Sequence, residues 1–257
     1  MPQWLADRLV LCPSRDKIDF GAKIRREVPF EGATVEVFTE RFHTDRAPQL
    51  YVLKLGGTGG RAERAGPHPL DAWSDLAGET WAVNPPGYGG SGGRATLVSL
   101  AAAIRAVCEA LIDEARGAPI IVTGNSLGTA TALHVASRYR QIVGCILRNP
   151  PPLRPLINGQ YGLVSLGLAH LGVARYVPAE LDSVAQAART KVPAVFVLSQ
   201  KDRVVPPKYQ RLITDAYAGP QQQLLLAEAD HASPLDEREQ QQYFEQLRWL
   251  RAASLGF

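Results

Sequence analysis

Short apolar segments alternate with helical patterns along almost the whole chain, and this alternation limits the possible folds more than any other feature. Strands that are almost continuously apolar and separated by helices are typical of a parallel sheet covered on both faces. Eight segments predict strands: 25–30, 34–42, 50–55, 80–83, 119–123, 142–147, 192–198 and 223–226. Apolar residues spaced at close to 3.6 positions predict four helices: 96–115, 127–139, 207–216 and 234–252.

The first two strand segments differ from the others because apolar and polar residues alternate in them. They flank Glu31-Gly32, which predicts a turn between two antiparallel strands. We therefore predict an α/β fold with a mostly parallel eight-stranded sheet, an antiparallel N-terminal hairpin and helices on both faces.

One connection is too long for a simple strand–helix–strand unit, because about 45 residues separate the sixth predicted strand from the seventh. It opens with three prolines, Pro150 to Pro152, and contains helix-like pieces over 156–173 and 181–190. The connection leaves the carboxyl edge of the sheet, where α/β proteins bind ligands. We therefore predict a helical cap over residues 150–190, and an extra helical decoration without a role at the site is the alternative.

The composition is that of an ordinary globular protein, with 46% hydrophobic and 21% charged residues, and it excludes disordered, collagen-like and coiled-coil chains. A chain of 257 residues fits one large domain, 1–257, that contains the cap. The formal net charge is +3 and no block of Lys and Arg is present, so nucleic acid is not an expected partner.

The cysteines Cys12, Cys108 and Cys145 are too few for a disulfide framework and lack metal-ligand spacing. Free thiols suit a reducing cytosol. The N-terminal residues lack the basic and apolar regions of a signal peptide. The longest weakly polar stretch, 162–174, is well short of the roughly 20 residues of a spanning helix. We expect a cytoplasmic protein without an integral membrane segment, and surface association through that stretch is the alternative.

The motif that indicates chemistry is Gly-x-Ser-x-Gly at residues 124–128, between a predicted strand and a predicted helix. A serine in a tight strand-to-helix turn needs neighbours without side chains, and Gly124 and Gly128 stand at the required positions. The turn would lift the hydroxyl of Ser126 above the sheet and direct the free N–H groups of the helix to the same place. We predict that Ser126 is a nucleophile, with an idle serine in a glycine-rich corner as the alternative.

From about Arg25 to Leu250, the chain resembles the α/β-hydrolase fold superfamily. The resemblance covers the order of strands and helices, the turn at Ser126 and an insertion after the sixth strand. Residues 85–92, Pro-Pro-Gly-Tyr-Gly-Gly-Ser-Gly, are similar to the Pro-Gly-x-Gly-x-Ser turn that follows the fourth strand in the superfamily. No single subfamily is indicated. The resemblance implies a serine, histidine and acid that act together.

The base implied by this resemblance is His231, which lies between the last strand and the last helix, where the superfamily places it. A serine hydroxyl is a weak nucleophile and needs a base to remove its proton. His134 lies two turns beyond Ser126 on the same predicted helix and should point away. A solvated loop histidine is the alternative for His231. The context of the remaining histidines selects none of them: His43, His68 and His170.

The acid implied by the resemblance is Asp202, which follows the seventh strand. It would orient the imidazole and stabilise the cation that forms during the reaction. Some superfamily members place the acid after the sixth strand, where this chain has the uncharged Asn149. Asp230 is adjacent to His231 in the sequence, so its side chain should project elsewhere. The order Ser126, Asp202, His231 is the order that the fold requires.

The resemblance also implies two backbone N–H donors for the oxyanion of the tetrahedral intermediate. One is Leu127, the residue after the nucleophile. The other lies in the glycine-rich loop after the third strand, where relatives often carry His-Gly-x. In that alignment Gly56 replaces the histidine and Thr58 supplies the N–H, with Gly57 as the alternative donor. A Gly-x-x-x-x-Gly-Lys-Ser/Thr motif is absent, so a nucleotide role is not expected.

These residues predict a serine hydrolase that cleaves a carboxylic ester, thioester or amide of a small acyl substrate through an acyl-enzyme on Ser126. The apolar stretch 161–173 favours an acyl or aromatic group over a sugar. No metal or organic cofactor is implied, and no oligomeric state is indicated. A non-catalytic protein that binds a ligand or partner stays open, as does another chemistry such as carbon–carbon bond hydrolysis. Dehalogenation is disfavoured because it uses an aspartate at the position of Ser126.

Overall fold

The computed structural model describes residues 3–161 and 172–256, and its eight strands form one mixed sheet in the order β1-β2-β4-β3-β5-β6-β7-β8. β1 and β2 are antiparallel, β2 is antiparallel to β4, and the other neighbouring strands are parallel. The predicted sheet and its N-terminal hairpin are therefore confirmed. The strands are β1 Ile24–Phe30, β2 Ala33–Phe42, β3 Leu50–Leu55, β4 Gly78–Asn84, β5 Ile120–Asn125, β6 Ile142–Arg148, β7 Ala194–Ser199 and β8 Gln221–Leu226.

Helices cover both faces of the sheet, as predicted. Successive strand residues point to opposite faces. Leu53 therefore packs on the face covered by the helices at 97–115 and 127–136, while Val52 packs on the face covered by the last helix. The α-helices among the described residues are α1 Gln3–Val10, α2 Leu97–Ala115, α3 Leu127–Ala136, α4 Leu153–Leu156, α5 Ser183–Ala187, α6 Pro207–Ala216 and α7 Glu237–Leu255.

Side-chain caps determine where the two longest helices begin. The hydroxyl of Thr96 accepts a hydrogen bond from the N–H of Ser99, whose own hydroxyl accepts one from the N–H of Thr96. Asp236 and Glu239 form the same reciprocal arrangement at the start of α7. Such a pair satisfies two N–H groups that lack partners within the helix. The last helix therefore starts at Glu237, three residues after the predicted start.

Helix α1 is an element that the sequence analysis did not predict. Its inner face carries Leu5, Ala6, Leu9 and Val10, a four-residue recurrence that is typical of an amphipathic helix and could have revealed it. The buried carboxylate of Asp7 accepts a hydrogen bond from the N–H of the first residue of α2, at 2.8 Å. This bond satisfies a free N–H at a helix start, and it attaches α1 to the body of the fold.

The connection from β3 to β4, residues 56–77, departs from the strand–helix alternation because it contains a short 3₁₀ helix, Ala62–Arg64, and turns in place of an α-helix. A buried polar network holds it. The N–H of Ala62 donates to Oδ1 of Asn84 at 2.9 Å, and the amide group of Asn84 donates to Glu36 and Glu63. Arg61 forms an ion pair with Glu63.

The described parts of the predicted cap, 150–190, consist of short helical pieces. These are α4, a π-helical turn at Ile157–Tyr161, 3₁₀ helices at Val173–Tyr176 and Ala179–Leu181, and α5. The predicted helix over 156–173 lies partly outside the described residues, as do His170 and the leucines between 162 and 171. The cap therefore stays a prediction. None of the described helices is both long and apolar enough to cross a bilayer.

Candidate active site

Ser126 occupies a sharp turn between the end of β5 and the start of α3. Its φ is +51° and its ψ is −123°, a backbone conformation that non-glycine residues rarely adopt. Such strain costs about 1–3 kcal/mol and persists only where the surrounding structure enforces it. Its N–H donates to the carbonyl oxygen of Arg148 at 2.9 Å, and its own carbonyl oxygen accepts from the N–H and hydroxyl of Thr129. These bonds hold the turn in place.

The two flanking glycines are required because a side chain at either position would collide with the main chain. A Cβ atom on Gly128 would lie 2.0 Å from the carbonyl oxygen of Leu55, and one on Gly124 would lie 2.6 Å from the carbonyl oxygen of Gly128. Both positions therefore require a residue without a side chain, as the sequence predicted.

His231 and Asp202 are in direct contact. The Nδ1 atom of the imidazole lies 2.6 Å from Oδ2 of Asp202, whose carboxylate is fully buried. The other carboxylate oxygen accepts hydrogen bonds from the N–H groups of Val204 and Val205, both at 2.8 Å. Backbone donors of this kind stabilise a buried carboxylate in its charged form. The amide of Gln210 also donates to Oδ2, at 3.3 Å.

Ser126 and His231 line the same cavity, which has a volume of about 350 Å³. Leu127 and the glycine-rich loop from Gly57 to Gly60 form the wall beside the serine. The remaining lining is mostly apolar and comes from three separate parts of the chain: Leu9 and Val10 of α1; Pro151, Leu153, Leu156 and Ile157 of the insertion; and Val204 and Val205 after β7.

The glycine-rich loop packs against the nucleophile turn. A Cβ on Gly57 would lie 3.3 Å from the Cβ of Ser126, so this glycine permits close contact. The hydroxyl of Tyr88 donates to the carbonyl oxygen of Thr58 at 2.7 Å and accepts from the N–H of Cys12 at 3.0 Å. Tyr88 is 2% exposed. Its hydroxyl therefore holds the glycine-rich loop in place. The sequence did not predict this role, although Tyr88 lies within the Pro-Gly-x-Gly-x-Ser-like turn.

Asn149 is uncharged and cannot be the acid, but it has a structural role beside the candidate site. It is fully buried with a φ of +49°, which asparagine tolerates better than most residues. Its amide nitrogen donates to the carbonyl oxygen of His231 at 3.1 Å, and its amide oxygen accepts from the N–H of Ser199 at 2.9 Å. Asn149 thus joins two parts of the chain: the loop that contains His231 and the end of β7.

Asp230 is directed away from the imidazole of its neighbour. Its Oδ1 accepts from the hydroxyl of Ser233 at 2.8 Å and from the N–H groups of Ala232 and Ser233, both at 2.9 Å. The hydrogen bond from the Ser233 hydroxyl is the main reason why the pKa of Asp230 lies below its ordinary value.

The other histidines that the structure describes lie elsewhere. His134 is buried within α3, and burial lowers its pKa. The imidazole of His68 contacts Asp71 through Nδ1 and the hydroxyl of Tyr243 through Nε2, and it lines a different cavity. Across residues 3–161 and 172–256, no cluster of three or more His, Cys, Asp and Glu side chains is arranged to hold a metal ion.

Comparison with known proteins yields matches among solved structures. No protein-family model and no curated protein matches the chain. An esterase of Pyrococcus furiosus, Pf2001, superposes over 96% of this chain and 98% of its own, with a TM-score of 0.71 and 14% identity. Est1E of Butyrivibrio proteoclasticus, whose structure has ferulic acid bound, superposes over 87% and 99%, with a TM-score of 0.68 and 16% identity.

Acetyl xylan esterase 1 from Thermoanaerobacterium superposes over 96% of this chain and 92% of its own, with a TM-score of 0.66 and 12% identity. At such identities the likeness concerns the fold. The chain therefore has the α/β-hydrolase fold, as the sequence predicted.

Proposed function

We propose that this protein is a serine hydrolase that cleaves a carboxylic ester, with thioesters and amides as further substrates of the same chemistry. One observation carries the proposal. The imidazole of His231, held by the buried carboxylate of Asp202, opens into the same cavity as the strained serine Ser126. The structural likeness to three esterases supports an ester as the substrate.

In the proposed reaction the Oγ atom of Ser126 attacks the carbonyl carbon of the substrate while Nε2 of His231 accepts the hydroxyl proton. Nε2 is available for this role because Nδ1 is bonded to Asp202. The oxyanion that forms accepts hydrogen bonds from the N–H of Leu127 and from the N–H of Thr58 or Gly57 in the loop. Each such donor contributes about 3 kcal/mol of transition-state stabilisation.

The tetrahedral intermediate then collapses. The bond to the alcohol breaks, the alcohol leaves with the proton from His231, and the acyl group stays on Ser126. A water molecule gives its proton to His231 and attacks the acyl carbon, and the second intermediate releases the acid and restores the serine hydroxyl. Asp202 keeps the imidazole oriented throughout and stabilises its cation.

The lining of the cavity suggests which kind of acyl group the substrate carries. Leu153, Leu156 and Ile157 come from the segment that we propose to be a cap within one domain, and Leu9 and Val10 come from α1. These side chains present apolar surface next to Ser126, and burying apolar surface of a substrate is favourable by about 25 cal/mol per Å². An aliphatic or aromatic acyl chain of moderate size fits such a cavity.

The test is labelling with a fluorophosphonate, followed by assays with p-nitrophenyl esters of increasing acyl length and with acyl-CoA thioesters. We expect one adduct per chain, on Ser126, and a fall in ester turnover of about a thousandfold or more for Ser126→Ala. Ser74→Ala, an exposed serine outside the cavity, should behave as wild type. An unlabelled but folded wild-type protein would instead indicate a non-catalytic binding protein.

A further inference from the structure

A second cavity of about 480 Å³ lies on the opposite face of the sheet, the face that α7 covers. Its floor consists of side chains near the carboxyl ends of four parallel strands: Lys54, Thr123, Ile146, Arg148 and Val197. The loop 56–65 covers it from one side, with Leu235 and Tyr243 on the other. Apart from this loop, which also borders Ser126, none of these features takes part in the reaction proposed above.

The cavity exists because the connection from β3 to β4 lacks an α-helix. Buried Leu70, Trp73 and Leu76 of this connection pack over the start of β3, at Leu50 and Val52. Only a 3₁₀ turn and a short loop lie above the ends of the strands. The space that a crossover helix would fill in an α/β sheet is therefore left open beside Lys54.

The charges along this cavity are all of one sign. Its lining includes the cations Lys54, Arg61, Arg64 and Arg148 together with His68, and it includes no Asp or Glu. Arg61 is compensated because it pairs with Glu63. Burial lowers the pKa of His68, whose imidazole contacts Asp71.

Neither Lys54 nor Arg148 forms an ion pair among the described residues. Carboxylates act on them only at longer range: Asp71 and Glu40 on Lys54, and Glu239, Asp202 and Asp230 on Arg148. The ammonium group of Lys54 donates to the carbonyl oxygen of His68, and the guanidinium group of Arg148 donates to the carbonyl oxygen of Ser233. The buried Nε–H of Arg148 has no hydrogen-bond partner in the described structure. Burying a charge without a directly paired counter-charge is unfavourable, so an anion placed between the two groups would be bound favourably.

The apolar lining narrows the class of anion. Ala82, Val83, Ile146, Val197 and Leu235 supply hydrocarbon surface around the two cations. Inorganic phosphate has no hydrocarbon part, so it would leave this apolar surface exposed to water. A carboxylate attached to a short hydrocarbon group fills both parts of the cavity.

We propose that this cavity is a binding site for a small amphipathic carboxylate. The carboxylate accepts hydrogen bonds from the ammonium group of Lys54 and lies beside the guanidinium group of Arg148, and the hydrocarbon part packs on the apolar wall. The two cavities share Gly57, Gly59, Gly60 and Asn125 as a common wall. A ligand here therefore contacts the far side of the loop that borders Ser126.

The test is isothermal titration of the full chain at pH 7 with hexanoate and, as a neutral analogue of equal length, 1-hexanol. We expect saturable binding of hexanoate, and affinity weaker by about tenfold or more for hexanol and for Lys54→Met with hexanoate, because hydrogen bonds between ionised groups are the strong ones. Lys17→Met, at an exposed lysine, should bind hexanoate as wild type does. Lys54→Gln is the second variant if Lys54→Met does not fold.

Four results would overturn the proposal. The first is no saturable binding of hexanoate, and the second is equal affinity for hexanoate and hexanol. The third is unchanged affinity in the folded Lys54 variant, which would place the ligand in the Ser126 cavity or elsewhere. The fourth is displacement of hexanoate by inorganic phosphate at equal concentration, which would show that the site binds phosphates rather than carboxylates. Because no ester is used, these outcomes are independent of the hydrolase proposal.

Discussion

At the residue scale, the nucleophile turn depends on glycine positions where the main chain of a neighbouring strand leaves no room. We expect Gly128→Ala to lower the free energy of unfolding by about 3 kcal/mol or more, because overpacking against backbone cannot be relieved by a side-chain rotation. The added methyl group would meet the carbonyl group of Leu55, so β3 or α3 must move. Urea denaturation followed by circular dichroism measures the change.

The matched control for this prediction is Gly66→Ala, where a Cβ meets no atom within 4 Å. Its stability should lie within about 0.5 kcal/mol of wild type. If both variants were equally stable, the close approach of Gly128 to Leu55 would not contribute to the fold, and the steric account of the turn would fail.

Tyr88 shows at the same scale how a buried hydroxyl can position a loop without touching a substrate. Tyr88→Phe keeps the ring and removes the hydroxyl that joins Cys12 to Thr58. We expect kcat for ester hydrolysis to fall by about three- to tenfold while KM changes less, since the loop donor acts on the transition state. Stability should fall by about 1 kcal/mol.

Tyr139→Phe is the control for this measurement. It also loses a hydroxyl hydrogen bond, to Glu109, but Tyr139 lines neither cavity. A loss of stability without a change in kcat for Tyr88→Phe, matching that of the control, would show that Tyr88 supports the fold alone.

At the element scale, helix α1 brings the N-terminal segment into the candidate active site. It is attached to α2 through Asp7, it contacts the 3₁₀ helix at Val173–Tyr176, and Leu9 and Val10 line the cavity with Ser126. A chain segment far from Ser126 and His231 in sequence therefore takes part in shaping the cavity that they line.

We expect Leu9→Trp to shift the preferred p-nitrophenyl ester towards shorter acyl chains, because the larger ring occupies part of the cavity. The ratio of kcat/KM between long and short esters should fall by about tenfold, the value of one or two methylene groups. Arg8→Trp places the same ring on the exposed side of the helix and should leave the ratio unchanged. Equal chain-length profiles for wild type and Leu9→Trp would remove α1 from the substrate site.

At the scale of the whole molecule, the cavity with Lys54 makes stability depend on pH. Burial lowers the pKa of Lys54 from 10.5 to about 8. Between these values the unfolded chain binds a proton that the folded protein lacks, so wild-type stability rises with pH across this window. Below pH 8 the ammonium group is charged in both states and its burial is fully unfavourable.

Methionine at this position carries no charge. The free energy of unfolding of Lys54→Met minus that of wild type should therefore fall, by up to about 3 kcal/mol, as the pH rises from 7 towards 10.5. Urea denaturation at pH 7, 8, 9 and 10 measures this difference in the free energy of unfolding. Lys17→Met is the reference, for which the difference from wild type should not change with pH. A pH-independent difference for Lys54→Met would mean that the ammonium group is hydrated in the folded protein.

The sequence by itself determined the sheet, because near-continuous apolar runs can only be buried between helices. The motif around Ser126 and the resemblance that it carries also predicted Ser126, Asp202 and His231 as site residues, and the three follow β5, β7 and β8. These positions depend on local chemistry: glycines that permit a tight turn, and loops that follow β7 and β8, which the parallel order makes neighbours. The polar start of β8 was missed because Gln221 and Gln222 lie on an edge strand, where half the surface faces water.

The tertiary structure alone decided the features that depend on contacts between distant residues. Asn149 holds the loop of His231 across 82 positions, and Tyr88 meets Cys12 across 76. Neither contact leaves a periodic pattern in the sequence. The same applies to the cationic cavity, which exists because the connection after β3 folds as turns and leaves the ends of four strands uncovered. Local pattern specifies elements, whereas cavities arise from the space that packed elements fail to fill.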